Sequence, residues 1–189
     1  MSDDTMPEYT EEYWVTAREN ARRLLDDAKV LIEHESGDSA IILGVLAIEE
    51  LGKALIARWN VRNIASKKEY PTHIEKQAAT FALLAADELL KDNSRRLKKL
   101  QRQPERDLKK VGPMCEQFCY ARVGFYDDLR MVSTYADREP KWPTDVIEGK
   151  SVGLAREIAE FFRKAVQATN RKDSMRLASI IWQNDLGRL

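Results

Sequence analysis

The chain is poor in the residues that break helices and in those that staple or metallate small folds: eight glycines, six prolines, two cysteines and two histidines in 189 residues. Two cysteines in a chain this long cannot form a disulfide framework, and so few glycines and prolines mark a helical composition. Neither sign of charge is in excess. With 31 basic and 31 acidic side chains, no global field draws the chain to nucleic acid or to an anionic membrane, and any polyanion contact must be local. Long apolar runs are missing too. The longest, Ala40 to Ile48, stops at Glu49-Glu50, far short of the ~20 residues that span a bilayer. The opening residues, Ser2-Asp3-Asp4 and then Glu8, Glu11 and Glu12, are acidic where a signal peptide carries positive charge ahead of an apolar stretch, so a reduced cytoplasmic setting without membrane contact is expected. There is no Gly-rich phosphate loop, no strand alternation and no internal repeat, which leaves a Rossmann or P-loop site nothing to stand on.

What is present points to an all-α fold. A 43% hydrophobic content with four tryptophans excludes disorder, and the length predicts one domain over 1–189, a helical bundle of about five to seven helices. Val15, Ala17, Ala21, Leu24, Leu25, Ala28, Leu31 and Ile32 recur at helical spacing, with Thr10 as N-cap and Ser36-Gly37 as the stop. Asp38 or Ser39 caps a second helix through about Ala65, apolar on every face in its first half and hence central. Thr72-His73-Ile74-Glu75, directly after Pro71, has capping-box form and opens a third helix to about Leu90. Residues 93–112, broken by Pro104 and Gly112, read as two short helical pieces or a hairpin. Pro113 starts a single helix through about Tyr135, Ser151 caps the next, and Asp173 or Ser174 opens a terminal amphipathic helix over 173–186.

The residues richest in chemistry are Ile48-Glu49-Glu50-Leu51-Gly52-Lys53-Ala54. Glu49 lies three, four and seven residues beyond Leu46, Val45 and Ile42, so its carboxylate shares a stripe with core residues and needs a partner. Lys53 offers one, and the His73/Lys76 pair on the first turn of the third helix offers another. Gly52 would let a second helix approach closely. These residues either form a buried polar network that fixes helix register, or a binding site made of Glu49, Glu50, Lys53, His73 and Lys76.

Asn20-Ala21, Leu24-Leu25-Asp26-Asp27-Ala28, the run Ala47 to Ala54, His73 with Lys76, and Tyr135-x-Asp137 before Trp142-Pro143 resemble the AbiV-type abortive infection proteins of the HEPN helical-bundle superfamily. The resemblance implies antiphage defence in which an infected cell halts its own growth, translation being the process arrested, with a core over about 10–170. It also implies a comparison with catalytic HEPN proteins, which are metal-independent RNases using Arg, four to six residues, then His. This chain departs from that pattern. Five positions before His34 and His73 stand Lys29 and Lys68, and the only late match in spacing is Arg130-x4-Tyr135, whose phenol is a poor base at neutral pH.

Arg130, Tyr135 and His73 are therefore the catalytic candidates, and two mechanisms follow. In one, a non-catalytic interaction module binds a phage-encoded activator or the host translation machinery; in the other, a HEPN-type RNase contacts RNA. The missing motif favours the first. Arg130 itself reads as a surface partner of Asp127. No metal or cofactor is expected: no Glu-x-x-His occurs, and Cys115 and Cys119 lack a second ligand pair. The basic block from Arg95 to Lys110 has no interleaved aromatic residue to stack a base. Met175, Leu177, Ile180, Ile181 and Trp182 offer an apolar face on the last helix, from which a homodimer is expected.

Overall fold

A computed structural model describes residues 10–60, 71–92, 113–134 and 151–186. The described residues form seven α-helices and no strand: α1 (Glu11–Glu33), α2 (Gly37–Asn60), α3 (His73–Asp92), α4 (Pro113–Arg122), α5 (Phe125–Thr134), α6 (Ser151–Ala168) and α7 (Lys172–Leu186). The expected all-α bundle is what the chain builds. Residues 93–112 and Tyr135, Asp137, Trp142 and Pro143, together with the basic block, lie outside the described residues.

α2 is the axis. Ile41, Val45, Ala47, Ile48, Leu51, Ala54 and Leu55 are wholly buried, because α1, α3, α5 and α6 all pack on it. Its glycines are spacers. A Cβ on Gly37 would lie 2.3 Å from Ser151 Oγ, one on Gly44 would lie 2.7 Å from Ile158 Cγ2, and one on Gly52 would lie 1.8 Å from the Lys76 carbonyl oxygen. Gly52 therefore admits the backbone of α3 itself, as its position in the sequence suggested.

The caps of α1 and α3 are where the sequence put them, whereas α2 and α7 begin earlier than expected, with Asp38, Ser39, Asp173 and Ser174 already inside the helices. Thr10 Oγ1 accepts from Tyr13 N at 3.0 Å. At α3 the capping box is complete: Thr72 N donates to Glu75 Oε2 at 2.7 Å, and Glu75 N donates to Thr72 Oγ1 at 3.2 Å. Pro113 has no N–H to satisfy, and the next amide, Met114 N, donates to Glu88 Oε2 of α3 at 3.0 Å, which ties α4 to its neighbour.

One expectation fails, and another loses the surface it rested on. The single helix over 113–135 is two, because Gly124 takes φ +82° and turns the chain between α4 and α5. The turn lets Tyr126 stack on Phe81 at 4.6 Å between ring centroids and lets Leu129 enter the core. The apolar face of α7 is covered within the chain: Leu177, Ile181 and Trp182 are buried, α7 packs on α3, and Trp182 meets Trp59 at 5.8 Å. That face gives no support to a homodimer. Cys119 is exposed.

Candidate functional site

Helical periodicity on α3 places His73, Lys76, Gln77 and Thr80 at i, i+3, i+4 and i+7, one stripe aimed at α2. Opposite stands Glu49, only 4% exposed. Its Oε2 lies 2.6 Å from His73 Nδ1, and its Oε1 accepts from Gln77 Nε2 at 2.8 Å. One turn further, Thr80 Oγ1 donates to the Ile48 carbonyl at 2.8 Å. A buried carboxylate is tolerated when its lone pairs are used, and Glu49 uses both oxygens across the helix interface that Gly52 keeps tight.

The break at Gly124 brings a third element to the same carboxylate. On α5, Tyr126 and Leu129 face the core, which turns Asp127 and Arg130 toward α2. Arg130 Nη2 donates to Asp127 Oδ1 at 2.7 Å, and Arg130 Nε lies 3.8 Å from Glu49 Oε1. The sequence reading of Arg130 as a surface partner of Asp127 is thus half right: the pair forms, but the guanidinium is only 19% exposed and belongs to the Glu49 cluster.

The remaining candidates divide. Lys53 binds Glu50 Oε1 at 2.6 Å along α2 instead of reaching Glu49. Lys76 lies beside the cluster; burial pushes its ammonium below the usual lysine range, Glu49 and Glu50 oppose that, and Lys53 and Arg130 add to it. His73 is not locked inside a buried network, because its side chain is 51% exposed even while Nδ1 is held. Tyr135 lies outside the described residues. Two site residues escaped the sequence reading. Gln77 had a signal, since it stands one turn after His73 on the same face; Asp127 was seen only as a partner for Arg130, because the turn that carries it to Glu49 was not read.

Chemically, the cluster joins a fixed carboxylate, an imidazole open on one side and a guanidinium. The buried Glu49 orients His73 through Nδ1 and leaves Nε2 on a half-exposed ring, the arrangement that prepares an imidazole to move a proton. A cation stands by to hold negative charge.

A second buried acid, Asp87, ties α3 to the start of α7. It accepts from Arg171 at 2.6 Å and from Ser174 at 2.9 Å, and pairs with Lys91 at 2.8 Å. Burial pushes its carboxyl up, and these three partners outweigh that and hold it below the usual range.

The family model described as AbiV, of the HEPN group, matches residues 10–161. No curated protein and no solved structure matches the chain. The matched span carries α1 to α5 and most of α6, and with them every described residue of the Glu49 cluster. The chain belongs to the AbiV family of HEPN proteins.

Proposed function

We propose that this protein acts in abortive infection, halting the growth of the infected cell, and that it does so by cutting RNA at the Glu49–His73–Arg130 site. Family membership supports the defence role. One observation carries the chemistry: an imidazole 51% exposed, with Nδ1 2.6 Å from a buried carboxylate.

The chain lacks Arg and His at the nuclease spacing on one helix. Spacing matters only because it brings a cation and an imidazole together. Here α3 supplies the imidazole, α5 supplies the guanidinium, and both meet at Glu49. In the cut, His73 Nε2 takes the proton of the ribose 2′-hydroxyl, and the 2′-oxygen bonds to phosphorus. The P–O5′ bond breaks and the leaving 5′-oxygen takes a proton from solvent water, giving a 2′,3′-cyclic phosphate and a 5′-hydroxyl. Arg130 and Lys76 supply the positive charge that favours a phosphate at this end of the bundle. No metal takes part in this scheme. RNA incubated with the protein in EDTA tests it, with His73→Ala as the variant that should stop cleavage.

A second reading, the non-catalytic module, has its own observation. A groove of about 520 Å³ runs between α1 and α6, floored by Leu25, Phe162 and Val166 and rimmed by Arg18, Glu19 and Arg22. An amphipathic segment of a phage-encoded activator or of the translation machinery would fit such an apolar floor with a charged edge. Under that reading Val15→Asp, at an exposed residue of the same groove, abolishes growth arrest while His73→Ala leaves it intact.

A further inference from the structure

We infer that Glu49, His73 and Asp127 form a binding site for a divalent transition-metal ion, zinc first among them, assembled from three helices. One ligand atom of each residue lies within 4.8 Å of the other two. The donors come from α2, α3 and α5, so no linear motif could display them. Neither a Glu-x-x-His pair nor a cysteine pair, the local signals of a metal in the sequence, is needed for such a site.

Zinc takes nitrogen and oxygen donors at about 2.0–2.2 Å, which puts two tetrahedral ligands about 3.4 Å apart. His73 Nδ1 and Glu49 Oε2 stand at 2.6 Å and must open by less than about 1 Å to admit an ion at that spacing. An exposed imidazole on the first residue of α3 can make that movement. The ion would take the place of the direct contact between the pair. Three protein ligands leave a position for water, and an imidazole among them favours zinc, cobalt or nickel over magnesium or calcium, which prefer all-oxygen shells.

The surroundings carry a second and independent observation. Gln77 is wholly buried; its Nε2 fixes the second oxygen of Glu49, and its own Oε1 has no hydrogen-bond partner. Metal-binding carboxylates are held by donors in this way. Arg130 holds Asp127 similarly at 2.7 Å. Its guanidinium, 3.8 Å from Glu49, also repels a cation, which weakens the site.

This inference shares His73 with the proposed nuclease site but does not rest on RNA cleavage: an ion on Nδ1 leaves the ring proton on Nε2, so the zinc-loaded chain would not cut RNA, and the ion is measured without RNA. Titrating ZnCl₂ into the metal-free full chain by calorimetry should show one site with Kd below about 100 µM, and MgCl₂ should show none. His73→Ala and Asp127→Asn should each weaken zinc at least tenfold with the circular dichroism spectrum and Tm retained. Co²⁺ should give a visible absorption band that His73→Ala removes. No saturable zinc binding below about 100 µM, or the same affinity in both variants as in the native chain, overturns the site.

Discussion

His73 Nδ1 lies 2.6 Å from Glu49 Oε2 across the α2–α3 interface, with one partner half in solvent and the other almost fully buried. The two ends of this bond therefore contribute very differently to stability. Glu49→Ala strands Gln77 Nε2 and removes the carboxylate facing Arg130, a loss of about 3 kcal/mol. In a chain of this size that is a fall in Tm of roughly 6–12 °C. His73→Ala gives up a half-exposed pair and should cost within about 1 kcal/mol. Thermal melts of the two variants check the asymmetry; equal losses would mean that His73 is structural.

Gly52→Ala should behave opposite to its helix propensity. In an exposed helix the change gains up to about 1 kcal/mol, but here the new Cβ would sit 1.8 Å from the Lys76 carbonyl oxygen, and backbone cannot rotate away. The helices must separate, with a loss of about 3 kcal/mol or more, the scale of overpacking. A chemical denaturation curve with an unchanged or raised midpoint would show that α2 and α3 do not meet there.

Asp87 gives the fold an acid limit. Its folded carboxyl is held below the unfolded value of 3.8 by Lys91, Arg171 and Ser174 against the opposing effect of burial. A lowered pKa contributes stability that is present above the unfolded value and is lost as pH falls through the folded one. Asp87→Asn should thus lower Tm at pH 7 and flatten the decline in Tm on the acid side relative to the native chain. Parallel acid declines in the two proteins would place the acid sensitivity elsewhere.

How much of this was legible depended on whether the signal was local. The capping box at Thr72 and Glu75, the inward carboxylate at Glu49 and the spacer at Gly52 all follow from spacing within one helix, and each is where the sequence placed it. The Glu49–His73 contact was also legible, because a capping box fixes where α3 begins and so which residue meets α2 first. The arrival of Asp127 and Arg130 was not. It depends on Gly124 in Arg-Val-Gly-Phe, a lone glycine inside an otherwise helical pattern, which was read through rather than as a break. Between the two partners offered to Glu49 spacing does not choose: i,i+4 and i,i+3 pairs are equally allowed, and Lys53 goes to Glu50 because Gln77 and His73 occupy Glu49. The face of α7 was visible but its partner was not, since α3 covers it from more than 80 residues earlier in the chain.

The central claim is that His73, held by Glu49, moves the proton that lets RNA be cut. It is tested most directly by incubating the purified protein, and the protein recovered from infected cells, with total RNA in EDTA and mapping the new ends. The account predicts fragments ending in 2′,3′-cyclic phosphate, reduced at least 10²-fold by His73→Ala in a variant that melts like the native chain. Intact RNA in both preparations, or the same fragments at the same rate from His73→Ala, would contradict it.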